Sequence, residues 1–226
     1  PISSATVNLS GGAVDETFFT GRGFVKQTDW SGGAGQATTT DFTRYWSSDG
    51  NIDISSPSGD VKLRNTLGEY VGAGEFISSA FDTGSISNYH ELTWLPGSQP
   101  VETGFSPVRM QFATNDDGGV WNFVGPDGTS ATYYEPGTST ISAVHNDDRF
   151  ARYKVFFQTA STSFTPTVSD VSFTFTSACV PPGQVTFEGL SNGTYDISVS
   201  KAGYTPFVGS TTISQNWQAL EIVLTP

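Results

Sequence analysis

Two acidic loops hold the residues of this sequence best suited to bind a metal ion. The first, "NDDGG", contains Asn115, Asp116 and Asp117, and the second, "NDD", contains Asp147 and Asp148. Their side chains offer only oxygen ligands, the type that a hard cation such as Ca²⁺ accepts. The spacing does not match the EF-hand loop, and Asn and Asp also form β-turns by bonding to the nearby backbone. Two interpretations stay open: plain β-turns, or a structural Ca²⁺ that pins the loops.

Aromatic side chains form a second candidate site, because the C–H faces of sugars stack on Trp and Tyr rings. The sequence has 5 Trp, 8 Tyr and 17 Phe, most of which must fill a core. The candidates for contact with carbohydrate are Tyr45, Trp46, Tyr133 and Tyr134, with Trp30 and Trp217 as further aromatic positions. Because side chains alternate along a strand, at least one of the adjacent Tyr133 and Tyr134 should point outward. Trp94 and Trp121 follow strand-like alternation and are expected in the core.

Catalytic signatures are absent from the sequence. The two histidines, His90 and His145, fall in different expected loops, and neither a G-x-S-x-G nor an H-E-x-x-H pattern occurs. A carboxylate pair for glycoside hydrolysis meets in space and leaves no sequence pattern. We therefore expect a protein that is not an enzyme, and a glycan-degrading enzyme ranks third among the hypotheses.

Charge and composition exclude several partners. Acidic residues outnumber basic ones 22 to 10, for a net charge of −12, so DNA and acidic membrane surfaces would be repelled. No stretch approaches the roughly 18 apolar residues of a membrane span. The single cysteine, Cys179, cannot form an internal disulfide and is expected as a semi-buried small hydrophobe. The Ser/Thr/Gly-rich, acidic composition is typical of extracellular modules, and we interpret the start at Pro1 as that of a mature or trimmed chain.

Alternating apolar residues predict an all-β fold. In "RYKVFFQTA" Tyr153, Val155 and Phe157 share one face, and "SDVSFTFTS" and "VRMQFAT" alternate in the same way. Turn signals such as "PSGD" and "GPDG" separate many short strand candidates, which favours a sandwich with jelly-roll wiring. No helical periodicity is sustained over three turns.

A proline-rich connector, "SACVPPG" at 177–183, predicts a domain boundary. We expect a jelly-roll β-sandwich over 1–178 and a small Ig-like or transthyretin-like β-domain over 179–226. The segment 29–58 is rich in Gly, Ser and Thr around "DFTRYW". It is expected as a long surface loop that its aromatic residues pin to the sandwich, or as a loop that contacts a ligand.

The C-terminal segment resembles the carboxypeptidase regulatory-like, PEGA-like and Cna-B-like group of small β-domains. The matching positions are Phe187, Gly189, Leu190, Gly193, Tyr195, Lys201, Gly203 and Tyr204. The resemblance implies a stalk, spacer or adhesive module. Where self-cross-linking relatives carry a glutamate before "GY", this chain has Val199 and Ser200, so no isopeptide bond is expected.

The region 75–176, with "DGGVWNFVGPDG" and "RYKVFFQT", resembles a jelly-roll module of bacterial pilin-like (prepilin-type) surface proteins. Together the two resemblances imply a non-catalytic extracellular or cell-surface protein, a structural or adhesive component of a pilus-like or adhesin-like assembly. Its partners would be other subunits or surface glycans. The alternative is a carbohydrate-binding module that uses exposed aromatics, with or without Ca²⁺.

Strand count raises one further expectation. Four strands in the last 45 or so residues leave an edge of the small domain uncovered, and exposed edges invite pairing. The candidate to cover it is "ISSATVNLS" at 2–10, or an equivalent strand exchanged between subunits.

Overall fold

A computed structural model describes residues 2–38, 41–137, 139–214 and 218–226. Their strands are β1 (Thr6–Gly11), β2 (Val14–Phe19), β3 (Gly23–Gln27), β4 (Gly33–Ala34), β5 (Arg44–Ser48), β6 (Ile52–Ser55), β7 (Ser58–Leu63), β8 (Asn65–Thr66), β9 (Glu69–Tyr70), β10 (Ala73–Ser78), β11 (Phe81–Leu95), β12 (Val108–Asn115), β13 (Ser139–Thr140), β14 (Asp148–Gln158), β15 (Thr167–Val168), β16 (Asp170–Ser177), β17 (Gly193–Ser200) and β18 (Phe207–Ile213). Single 3-10 turns span Val101–Thr103 and Ala143–His145. No helix in the described ranges is long and apolar enough to cross a membrane. The expected all-β class, a β-sandwich fold, is confirmed.

The chain divides into two compact units, Phe24–Cys179 and Pro1–Gly23 with Val180–Pro226. The larger unit contains a nine-stranded sheet in the order β3-β16-β11-β14-β10-β5-β4, with β12 paired to β14 and β13 to β11. A three-stranded sheet, β15-β7-β6, and the β8-β9 pair complete it. Strand β14 is central, because β12 pairs along its whole length while β10 and β11 share its other edge.

Alternation along β14 divides the larger unit into a core face and an outer face. Tyr153, Val155 and Phe157 are buried, as their spacing predicts. They pack with aromatic rings of neighbouring strands; Phe76, for example, lies 6.2 Å from Tyr153 in an edge-on arrangement. The alternate residues of the strand, Arg152, Lys154 and Phe156, belong to the opposite face. That outer face carries the candidate site described below.

The smaller unit is a four-stranded sheet in the order β18-β17-β1-β2. Strand β1 pairs antiparallel with β17, with Val7 opposite Val199 and Leu9 opposite Ile197. The inward residues form one apolar cluster: Ala5, Val7, Leu9, Tyr195, Ile197, Val199 and Leu224. The N-terminal strand therefore covers an edge of the C-terminal segment, as the strand count predicts for residues 2–10.

This pairing changes the expected domain limits. Residues 1–23 group with 180–226 rather than with the sandwich, so the expected first domain, 1–178, is corrected at its N-terminal side. The physical reason is that β1 buries its apolar face against β17, which lies far along the sequence. Of the four strands expected after the connector, β17 and β18 form, whereas 184–188 and 219–224 lack strand structure.

The expected long loop at 29–58 also contains regular structure. It includes β4, β5 and β6 and the start of β7, with β5 paired to both β4 and β10. Phe42 and Tyr45 do attach this segment to the core, since their rings lie 5.7 Å from Phe81 and 5.8 Å from Phe76. The Gly/Ser/Thr-rich composition does not predict these short strands, because their stability comes from tertiary packing.

Candidate functional site

The outer face of the larger unit carries a cation that contacts two indole rings. The Arg152 guanidinium carbon lies 4.8 Å from the ring centroid of Trp46 and 4.7 Å from that of Trp121. Trp46 is 49% exposed, Trp121 is half-buried, and Arg152 is only 7% exposed. We call Trp46, Trp121 and Arg152 the tryptophan–arginine cluster. Each cation–π contact of this type contributes about 0.5–2 kcal/mol, more when desolvated.

Arg152 is placed where the neighbour of β14 changes. Strand β10 ends at Ser78 and β11 begins at Phe81, and the side chain of Gln36 spans the gap. The Gln36 amide donates to the Ala80 carbonyl at 3.0 Å, and its Oε1 accepts from the Ala80 N–H at 3.2 Å. The same Oε1 accepts a hydrogen bond from Arg152 Nη2 at 3.0 Å. The guanidinium is thus fixed by the backbone of the sheet as well as by the two rings.

The two tryptophans come from different segments, Trp46 from strand β5 and Trp121 from the segment that follows β12. Trp46 follows the buried Tyr45 in β5 at a point where the register with β10 shifts, and its ring is half exposed. Trp121 is held by an antiparallel bridge in which the backbones of Phe112 and Val124 exchange two hydrogen bonds of 3.0 Å. Ala113 lies directly across from Arg152 in the sheet.

Arg152 differs in its pairing from several other cations of the larger unit. Lys154 binds Glu75 at 2.7 Å, Arg149 binds Asp82 at 2.7 Å, and Lys26 binds Asp170 at 3.2 Å. In the described part of the chain, Gln36 is the single hydrogen-bond partner of Arg152, and no carboxylate lies within ion-pair distance. Its Nε is buried without a partner, and burial lowers the pKa of the guanidinium from its usual value.

A second cation–aromatic contact lies on the same face. The Arg109 guanidinium carbon is 4.4 Å from the Tyr133 ring centroid, and Tyr133 packs edge-on against Phe156 at 5.1 Å. Arg109 Nη2 donates to Gln158 Oε1 at 3.3 Å. Arg109 lies opposite Phe156 in the sheet and Ala113 lies opposite Arg152, so the two contacts are roughly 13 Å apart along the strand.

The expected aromatic residues are divided by the structure. Trp46 and Tyr133 lie on the outer face, whereas Tyr45 and Tyr134 are buried, at 9% and 1% exposure, and cannot present a ring to a ligand. One of Tyr133 and Tyr134 points outward, as alternation predicts. Tyr134 serves the core instead, and its hydroxyl accepts a hydrogen bond from the Ser142 N–H at 2.9 Å. Trp30 is also fully buried, and Trp217 lies outside the described residues.

Arg152 and Trp121 are the residues that sequence reasoning missed. Trp121 is expected in the core from its alternation, but residues 120–125 form a single bridge instead of a strand. Strand alternation does predict that Arg152, between Ala151 and Tyr153, lies on the face opposite to Tyr153. Nothing in the sequence indicates that Trp46 and Trp121, 75 residues apart in number, meet on either side of it.

The acidic loops act as turns in this structure. Asn115 Oδ1 accepts from the Gly118 N–H at 2.7 Å, and Asp117 Oδ1 accepts from the Gly119 N–H at 2.8 Å. Asp116 and Asp147 are exposed, and Asp148 Oδ2 accepts from the Thr114 hydroxyl at 2.6 Å. Within the described residues, no group of three or more His, Cys, Asp or Glu side chains is arranged to hold a metal ion. These contacts favour the turn interpretation over the Ca²⁺ interpretation.

His145 is buried beside this acidic end. Its Nδ1 lies 3.1 Å from the Thr114 hydroxyl, which itself donates to Asp148, so Nδ1 carries the proton in this contact. Nε2 is buried without a partner, and burial lowers the pKa of His145 to about 4. In a hydrolytic triad the imidazole lies between hydroxyl and carboxylate. Here the hydroxyl lies between them, which does not activate it as a nucleophile.

The remaining singled-out residues lie elsewhere. His90 is in strand β11 rather than in a loop, with Nε2 at 3.0 Å from the Thr176 hydroxyl. Cys179 is an exposed free thiol rather than a semi-buried one, because it lies two residues beyond the end of β16 at Ser177. A shallow depression of about 330 Å³ beside Asp147 and Ile86 contains none of the outward aromatic rings.

Comparison of the chain with protein-family models and with curated proteins finds no match.

Proposed function

We propose that this protein is a non-catalytic extracellular β-protein that adheres to carbohydrate through the tryptophan–arginine cluster. The observation that supports this most is the half-exposed Trp46 ring, fixed against a nearly buried Arg152 that is stacked on a second indole. A preorganised aromatic surface of this kind loses little conformational freedom when a sugar stacks on it.

The chemistry of the cluster suits a sugar better than an apolar ligand. Indole rings provide faces for sugar C–H groups, and the nearby Arg152 guanidinium provides hydrogen-bond donors for hydroxyls. Sugar recognition at an open sheet face needs no deep cavity, whereas most small apolar ligands require one. The protein would therefore recognise a carbohydrate surface and attach to it without chemical change.

A glycan array tests this proposal with three proteins. The wild type should bind at least one glycan class, and Trp46→Ala should reduce that binding at least tenfold, because the exposed stacking ring is lost. Phe105→Ala is the matched control, since Phe105 is an exposed aromatic residue (93%) of the same unit outside the cluster. Absence of binding to every glycan, or binding that Trp46→Ala leaves unchanged, would refute the proposal.

A structural role in a surface assembly is the second candidate. Its support is the four-stranded sheet of the smaller unit, which ends at β18 and is completed by the N-terminal strand β1. A sheet that ends in an unpaired strand can pair with another copy, and an N-terminal strand can be exchanged between copies. This second proposal includes the idea that the chain is a member of a pilin-like or PEGA-like family.

Sedimentation at increasing protein concentration tests the assembly role. We expect concentration-dependent association that Val208→Lys weakens, because Val208 is exposed (78%) on β18 and an edge lysine opposes strand pairing. Val101→Lys, at an exposed valine (86%) of the larger unit, is the control and should not change association. Monomers at every concentration would count against an assembly role.

A further inference from the structure

We propose that the carbohydrate recognised at the tryptophan–arginine cluster carries an acidic group, as a uronic or sialic acid does, and that Arg152 binds this group. The inference rests on the proposed carbohydrate function and names its ligand class. It is argued from the burial of the Arg152 guanidinium and from its lack of a carboxylate partner among the described residues.

The first step is the missing partner of Arg152. The protein has 22 acidic residues, yet in its described part none forms an ion pair with this nearly buried cation. Burial of a charge is unfavourable unless the charge is paired and hydrogen-bonded. Two indole faces and one amide oxygen offset part of that cost. A ligand carboxylate would form the ion pair that Arg152 lacks within the described residues.

The second step is the direction from which an acid can approach. The Trp46 and Trp121 rings contact the Arg152 guanidinium, and the Gln36 side-chain oxygen accepts a hydrogen bond from its Nη2. Nη1 keeps hydrogens for which the described residues offer no acceptor. A planar guanidinium binds carboxylate through its edge, because its N–H groups lie in the plane. Stacking on indoles and edge-on binding of an acid are therefore compatible at the same side chain.

The third step concerns the net charge of −12, which opposes an anionic ligand. Near the cluster two acids, Glu75 and Asp82, are each paired with a cation, Lys154 and Arg149, whereas Arg109 and Arg152 have no carboxylate partner among the described residues. At physiological ionic strength charges beyond about 8 Å are largely screened. A glycan with one acidic residue is therefore repelled only weakly when it binds at the cluster. A long polyanion would extend over the acidic surface and be repelled strongly. The ligand class is accordingly a mostly neutral glycan with one acidic unit.

Arg109 provides the comparison within the same face. It also lacks a carboxylate partner among the described residues, but it contacts one ring, Tyr133, that packs edge-on against Phe156. Among the described residues, no indole ring is in cation–π contact with Arg109. The acidic unit is therefore assigned to Arg152, and Arg109 becomes the matched control.

Isothermal titration calorimetry on the full chain tests the assignment with two pairs of probes. The pairs are 3′-sialyllactose with lactose and digalacturonate with digalactose, so each acidic sugar has a neutral counterpart. Gln36→Glu is the main variant, because it places a carboxylate beside Arg152 Nη2 and leaves the buried cation in place. Arg152→Gln removes the charge, and Arg109→Gln controls for a general loss of positive charge. A thermal melt of each variant shows whether it is folded.

The expected result is that at least one acidic probe binds the wild type tenfold or more tightly than its neutral counterpart. Gln36→Glu and Arg152→Gln should reduce this preference to less than threefold, and Arg109→Gln should leave it unchanged. Equal affinity within both pairs, no binding of any probe, or a preference that survives Gln36→Glu would overturn the inference. Neutral binding that depends on Trp46 but lacks acid preference would overturn the inference alone and leave the proposed function standing.

Discussion

The Tyr153 hydroxyl donates a hydrogen bond of 2.6 Å to Gln27 Oε1 in the core of the larger unit. The Tyr153 hydroxyl oxygen also accepts a hydrogen bond from Trp30 Nε1 at 3.2 Å, and the Gln27 amide donates to the carbonyls of Phe42 and Arg44 at 2.7 and 2.9 Å. This buried network ties β14, which carries Arg152, to the segment that leads into β5 and Trp46. The outer cluster thus depends on polar contacts beneath it.

Tyr153→Phe removes both contacts of the hydroxyl and leaves the buried Gln27 and Trp30 side chains each without one partner. We expect a loss of about 1–3 kcal/mol in the free energy of unfolding, measured by urea denaturation. Glycan affinity should fall with it, because Trp46 loses part of its support. Tyr70→Phe is the control, since the Tyr70 hydroxyl forms no hydrogen bond within the described residues, and a loss as large in that variant would contradict this explanation.

His145 should make the protein sensitive to mild acid. Its pKa is about 4 in the folded state and about 6.5 in the unfolded state, so between these values the unfolded state binds more protons. The free energy of unfolding should therefore fall as pH falls, by about 2 kcal/mol between pH 7 and pH 5 from this residue. Urea denaturation at a series of pH values measures the slope.

His145→Gln separates this effect from that of the carboxylates. The variant should lose most of the decrease between pH 7 and pH 5, because no imidazole remains to bind a proton on unfolding. If the wild type and the variant show the same slope, burial of His145 does not control the acid response.

The β1–β17 pairing predicts where the N-terminal strand contributes stability. Leu9→Ala removes a buried side chain (3% exposed) from the core of the smaller unit and should cost about 2–5 kcal/mol. Hydrogen exchange should accelerate for amides of β17, which β1 covers, and remain unchanged for β14. Thr6→Ala, at a partly exposed position of the same strand, should cost less than about 1 kcal/mol. Unchanged exchange in β17 after Leu9→Ala would show that the pairing does not protect that strand.

Cys179 should react as an exposed thiol. Because the residue is free and exposed, Ellman's reagent should titrate one thiol per chain in the native protein at a rate similar to that in urea. Reaction that requires denaturant would contradict this placement of Cys179.

Period-two alternation was enough to predict the all-β class and the inward residues of β12, β14 and β16, because each strand's burial is a local property of its sequence. Strand pairing between distant segments is not local. The grouping of residues 1–23 with the C-terminal segment rests on apolar surfaces that meet only after folding, although the edge requirement indicated residues 2–10. Tyr45 and Tyr134 were misjudged because composition cannot say which aromatic residues fill the core. The role of Arg152 is not readable from the sequence, because the two rings that contact it come from segments far apart in the chain.

The most direct measurement of the central claim is an NMR titration of the indole N–H signals with the glycan that binds most tightly. Signals assigned by Trp46→Phe and Trp121→Phe substitution should shift, because ring contact changes their shielding. Those of Trp30 and Trp94, which are buried at 0% and 1% exposure, should stay in place. Saturable shifts confined to Trp46 and Trp121 are the predicted result. Binding that leaves both signals unchanged would contradict the assignment of the site.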